Sequence, residues 1–175
     1  MTEQLYYQDS YIKDFEAVVL SCIPNGNHFE AVLDRTAFFP EGGGQCADTG
    51  VLHIENREIQ VFDVQERNGE IIHFIDKEIL PGQTVIGELD FQERFSKMQQ
   101  HTGEHIISGI VHRRFGYENV GFHLGKEEVT MDYDGPLTPE ELRSIEYEAN
   151  QVVAENREIR AYFPGTEELE KIPYR

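Results

Sequence analysis

Two hydrophobic periods divide the chain. Up to about Asp90 apolar and polar residues alternate in short runs, at 17–22, 28–33, 58–64, 71–75 and 84–89, and each run reads as a strand. Between them Pro24-Asn25-Gly26-Asn27, Asn68-Gly69 and Pro81-Gly82 carry turn chemistry, with Asn68-Gly69 placed as in a hairpin. Strands this closely spaced, with no helix between them, predict a small antiparallel barrel or sandwich. Beyond Asp90 the period lengthens: Phe91, Phe95, Met98, Thr102, Ile106 and Gly109 recur every three or four residues and predict the buried stripe of a helix. Asp90 with Glu93 resembles a capping box, and Gly116 is the expected stop. A strand pair at 120–124 and 129–134 should follow, turning near Gly125-Lys126-Glu127. Thr138-Pro139-Glu140-Glu141 then opens a second helix to about Asn156, and 158–163 reads as a last strand. The fold class is α+β: an antiparallel β-barrel over residues 1–90, then an α+β unit over 91–175 that looks incomplete, with little sheet to cover two helices.

Composition narrows the setting. Apolar content of 39% and charged content of 27% are those of a globular protein, and no apolar run approaches the roughly 20 residues of a membrane span. The start, Met1-Thr2-Glu3-Gln4-Leu5, lacks a secretory pattern, and Cys22 and Cys46 are too few for a disulfide framework, so a cytoplasmic protein with reduced thiols is expected. Net charge is −18, from 33 acidic against 15 basic residues. A surface that negative repels phosphate backbones, which argues against a broad DNA footprint and requires any nucleic acid to be held locally.

Candidate chemistry sits in two places. In His101-Thr102-Gly103-Glu104-His105 the two imidazoles, four residues apart, share one helical face and can grip a single metal ion. On the same helical wheel Glu104 points toward the polar side. His112 lies about 10 Å further along the axis, too far to share the ion. The second place is the stretch from Asp34 to Gly50, with Thr36 near its start and Phe39-Pro40-Glu41-Gly42-Gly43-Gly44-Gln45 at its centre. Gly42, Gly43 and Gly44 let backbone approach a ligand closely or make a tight turn between barrel strands, and Gln45 offers both donors and acceptors.

Taken together, F-P-E-G-G-G-Q with D-x-G downstream and then R-x-x-x-M-x-x-H-x-x-x-H resembles the editing region of alanyl-tRNA synthetases and the freestanding alanyl-tRNA editing proteins. The resemblance covers nearly the whole chain, including Val120-Gly121-Phe122-His123 and the helix after Leu137. It implies an editing-type α+β domain that hydrolyses serine or glycine wrongly esterified to alanine tRNA, held by its acceptor end. It implies zinc as cofactor, with His101 and His105 as the first ligand pair and a Cys and a His from a later C-x-x-x-H element as the second. It also places Thr36 and Gln45, beside Gly42, Gly43 and Gly44, at the amino-acid pocket. No catalytic residue is singled out, and Glu104 is not fixed in the family's motif.

The chain departs from that pattern in lacking C-x-x-x-H, since both cysteines precede the histidine pair. The expectation is therefore an N-terminal portion of a longer editing protein, with two further ligands beyond Arg175, and a portion that is metal-poor and inactive alone. A neighbour such as Cys46 offers a substitute ligand. Two other readings stand beside this one. His101 to His105 also fits H-x-x-E-H, a metallopeptidase motif with Glu104 as base. A tRNA-binding module without catalysis would use the same folds.

Overall fold

The computed structural model describes residues 2–125, 128–160 and 162–172. Met1–Pro136 forms one compact unit and Leu137–Arg175 another. The first unit opens with β1 (Glu3–Gln4), a single 3-10 turn at Leu5–Tyr7, and β2 (Asp14–Asn25), β3 (His28–Leu33) and β4 (Arg35–Thr36). After a long loop come β5 (Gly50–Ile54), β6 (Arg57–Arg67), β7 (Glu70–Ile75) and β8 (Thr84–Leu89). The unit is completed by α1 (Phe91–Phe115), β9 (Asn119–Leu124) and β10 (Val129–Tyr133).

Six of these strands close into a barrel in the order β2-β3-β7-β6-β5-β8, every neighbour antiparallel. Alternation is what builds it. Along β2 Phe15, Ala17 and Val19 turn inward, while Glu16, Val18 and Leu20 face out. Leu33, Leu52, Ile59, Val61, Val64, Ile71, Ile75 and Val85 fill the same core. Asn68 and Gly69 both take positive φ, at 55° and 79°, as a tight hairpin between β6 and β7 demands. β5 has no counterpart among the runs expected from sequence. Its first residue explains its placement: a Cβ on Gly50 would lie 2.1 Å from the Glu88 carbonyl oxygen, so only glycine lets β5 lie against β8.

Asp90 caps α1 by accepting from the Glu93 N–H at 3.2 Å, and Gly116 ends it in the left-handed conformation at φ 73°. β9 and β10 pair antiparallel as expected. Of their turn, Lys126 and Glu127 lie outside the described residues. The second unit holds α2 (Pro139–Ala154), opened by a complete Thr138–Glu141 capping box, and the short α3 (Thr166–Leu169). The expected strand at 158–163 does not form over its described residues, and Ala161 lies outside them. A strand needs a neighbouring backbone to complete its ladder, and alternation of Ile159 with charged residues supplies none. Among the described residues no helix is long and apolar enough to cross a membrane.

Candidate functional site

The inner face of α1 is polar. Arg94, Lys97, Glu104, Ser108 and Val111 are buried, with His101 half-buried between them, at the three- and four-residue spacing of one helical stripe. The apolar stripe expected to be buried is only half covered, and Phe95 is exposed. Hydrophobic periodicity failed here because each inward polar group meets a partner on the loop before β5 or on β9, which removes the penalty of burying it.

Arg94 carries the largest share of that contact. Its guanidinium donates to both oxygens of Asp48, to the Ala37 carbonyl at 2.7 Å and to the Ser10 carbonyl at 3.1 Å, and the pair is 4% and 2% exposed. Asp48 also accepts from the Phe39 N–H at 2.7 Å. One turn on, Lys97 donates to the Ala47 carbonyl at 2.7 Å and pairs with Glu93. The Asp and the Arg of the two sequence motifs are thus two sides of one buried ion pair.

The glycine block is a turn. Gly42 and Gln45 exchange backbone hydrogen bonds at 3.1 and 3.0 Å, and the central Gly43 and Gly44 have φ of 58° and 81°, the paired positive values of a type I′ turn. Gly44 is needed twice over, because a Cβ there would stand 2.3 Å from the Phe122 carbonyl oxygen. Its own carbonyl accepts from the Leu124 N–H at 2.7 Å, and the Cys46 thiol donates to the Leu124 carbonyl at 3.3 Å. Close approach at Gly44 therefore serves β9. Gly42 and Gly43 face open space.

This turn delivers Gln45 to the helix: its Oε1 lies 3.1 Å from His101 Nδ1. The His101 and His105 rings are stacked, 5.1 Å between centroids and 19° between planes. Burial pushes His101 below the ordinary histidine range; the charge of His105 acts the same way and Glu104 opposes both. Glu104 does not point to the polar side as expected from the helical wheel. It is 5% exposed, with its carboxylate accepting from Ser108 at 2.5 Å and Asn119 at 2.8 Å and standing 3.1 Å from His105 Nδ1. Ligand atoms of His101, Glu104 and His105 all lie within 4.8 Å of one another. Cys46 stands outside this cluster.

Thr36 is placed differently from the rest. It is completely buried in the barrel beside His73. His73 Nδ1 donates to the Ala31 carbonyl at 3.2 Å, so its Nε2 accepts from the Thr36 hydroxyl at 2.8 Å, while that hydroxyl accepts from the Phe38 N–H at 3.1 Å. The hydroxyl thus donates to His73 and accepts from the Phe38 N–H. Burial pushes His73 down to about 4, against the pull of the Ala31 carbonyl. Near the site, a cleft of ≈ 530 Å³ runs beside α1, lined by Lys97, Gln100, Leu124, Gly125 and Val129. Neither imidazole lines it; His105 stands in the open, 73% exposed at its side chain.

Residues 3–93 match the family model described as tRNA synthetases class II (A). Over 99% of its length the chain is 38% identical to the alanyl-tRNA editing protein AlaX-M of Saccharolobus solfataricus, covering 73% of that protein. It is 33% identical to the alanyl-tRNA editing protein AlaX-L of Pyrococcus horikoshii, covering 42% of it. It is 38% identical over 92% of its length to the alanine–tRNA ligase of Ignicoccus hospitalis, covering 18% of that ligase.

Proposed function

The chain belongs to the family of alanyl-tRNA editing proteins and alanine–tRNA ligases, and from that premise we propose that it serves translation fidelity in the cytoplasm as an aminoacyl-tRNA hydrolase. Its substrate is alanine tRNA charged with serine or glycine, and its metal is zinc. The observation that carries this reading is the Gln45–His101 hydrogen bond, which joins the glycine turn to the histidine pair.

The donor set fits the metal. Two imidazoles one helical turn apart, one half-buried and one exposed, are ligands that zinc accepts. His101 and His105 would hold it, and when bound it would supply Lewis acidity toward the ester or its attacking water. Zinc needs at least three protein ligands, so the pair is one part of the site. The remaining chemistry belongs to the chain. The turn at Gly42-Gly43-Gly44 holds Gln45 in register with α1, and the Arg94–Asp48 pair locks the loop to the helix. With a net charge of −18, tRNA is gripped at its acceptor end by local contacts. Glu104 is ill placed as the base of a peptidase, since its carboxylate is buried and engaged by Ser108, Asn119 and His105.

The test is deacylation of seryl-, glycyl- and alanyl-tRNA by the chain itself and by a chain extended past Arg175 to supply a Cys-x-x-x-His element. Zinc-dependent release of serine or glycine, with alanine spared, is expected of the extended chain. Binding of mischarged tRNA without hydrolysis, with zinc bound, would leave a non-catalytic tRNA module in its place.

A further inference from the structure

We propose that the cleft between α1 and the β9–β10 hairpin is the seat of the terminal adenosine of a tRNA acceptor end, held by its base with the phosphates left outside. This rests on the substrate reading above, and its basis is where the cleft lies and what its walls carry.

An aminoacyl ester is carried on the ribose of the last nucleotide of tRNA, an adenosine. An ester brought to the histidine pair therefore leaves that nucleoside beside the pair, within its own length. The cleft lies at that reach. Lys97, which lines it, precedes His101 by four residues as His101 precedes His105, so the three stand in one row along α1 with about 6 Å of axis per step. The facing wall is Leu124 and Val129, which stand opposite one another in the β9–β10 ladder. Leu124 is tied to the glycine turn through the Gly44 carbonyl and the Cys46 thiol, and that turn also delivers Gln45 to His101. Cleft and histidine pair thus share both the helix and the turn.

The walls select a flat, neutral ligand. Among the described residues Lys97 is the one cation that lines the cleft, and it is already engaged by Glu93 at 2.9 Å and by the Ala47 carbonyl at 2.7 Å. Glu93 and Glu128 outnumber it, so a phosphate or a free carboxylate meets net negative charge. What remains is the apolar pair Leu124 and Val129, against which a ring can lie, and the exposed Gln100 amide, which has no hydrogen-bond partner among the described residues. A glutamine amide offers a donor and an acceptor side by side, the pattern that pairs with an adenine edge through two hydrogen bonds. Unpaired terminal bases are recognised in this way, by a surface to lie on and a contact at the edge. At ≈ 530 Å³ the cleft has the size of a small-ligand site. On a chain of net charge −18, a grip on the base also avoids the repulsion that a grip on the backbone would meet.

The experiment titrates the 15N-labelled full chain, without zinc, with adenosine, with the trinucleotides CCA and CCU, and with 5′-AMP. Adenosine and CCA are expected to move the backbone signals of Lys97, Gln100, Leu124 and Val129. CCA should bind more tightly than CCU or 5′-AMP, and the affinity for adenosine should stay the same between about 50 and 200 mM salt. Gln100→Leu weakens CCA roughly 5- to 100-fold and abolishes its advantage over CCU. Val129→Asn, on the other wall, weakens both trinucleotides. A backbone spectrum like that of the parent checks that each variant is folded. No shift at these residues with adenosine at its solubility limit, tighter binding of 5′-AMP than of CCA, as a free-nucleotide site would show, or unchanged CCA affinity in folded Gln100→Leu overturns the proposal. Binding is read without zinc or ester, so failure of the extended chain to deacylate would refute the function and leave the adenosine seat standing. An extended Gln100→Leu chain that deacylates seryl-tRNA with the parent's KM would do the reverse.

Discussion

Arg94→Met tests whether the buried ion pair carries the contact between helix and loop. The substitution keeps most of the side-chain volume and removes every donor. Asp48, 2% exposed, is left with the Phe39 N–H as its partner, and the Ala37 and Ser10 carbonyls lose theirs. Stranding one member of a buried pair costs about 3–5 kcal/mol, with no discount for solvent screening at this burial. In a chain of this length each kcal/mol moves the thermal midpoint about 2–4 °C, so the midpoint should fall by roughly 6–20 °C. Asp48→Asn strands the guanidinium instead and should cost a similar amount. The pair is isolated by the double variant, which neutralises both sides and should be about 2–3 kcal/mol more stable than the sum of the single losses implies. Urea and thermal unfolding of the parent and the three variants measure this. A loss below about 1 kcal/mol for Arg94→Met, the size of an exposed pair, or strict additivity in the cycle, would refute the reasoning.

Two further outcomes follow from buried groups. His73 is neutral in the fold down to about pH 4, whereas an unfolded histidine takes its proton near 6.5. The unfolded chain binds the extra proton between those values, so stability from this group is complete above about pH 6.5 and is lost as pH falls toward 4, about 3 kcal/mol in all. His73→Gln should flatten the stability profile over that window, and an unchanged profile would count against it. Gly44→Ala places a methyl group against the Phe122 carbonyl at φ 81°, so the turn should shift away from β9. Loss of the Gln45–His101 hydrogen bond and a fall of several degrees in the midpoint are expected, and native values for both would show that the close approach is not required.

The parts of this fold that were legible in the chain are those where burial follows hydrophobicity. The hydrophobic pattern marks β3 and β8 at their observed bounds and β7 to within one residue, and Asp90 and Gly116 mark the two ends of α1 through backbone chemistry that acts locally. The inner face of α1 was not legible by the same rule, because that rule assigns Arg94, Lys97 and Glu104 to solvent. Their burial depends on acceptors and donors far away in sequence: Asp48 lies 46 residues from Arg94, Ala47 lies 50 from Lys97 and Gln45 lies 56 from His101. A signal was present nonetheless. Residues 94, 97, 101, 104 and 108 are all polar and keep helical spacing, and a polar stripe that regular is informative when a second polar motif elsewhere must also be satisfied. The two motifs occur together because they are the facing halves of one hydrogen-bonded seam. Thr36, four residues before the Pro40 that opens the glycine block, shows the same dependence on partners distant in sequence. Its hydroxyl belongs to His73 in the barrel core, while Gln45, past the turn, is the residue the seam delivers to the histidines.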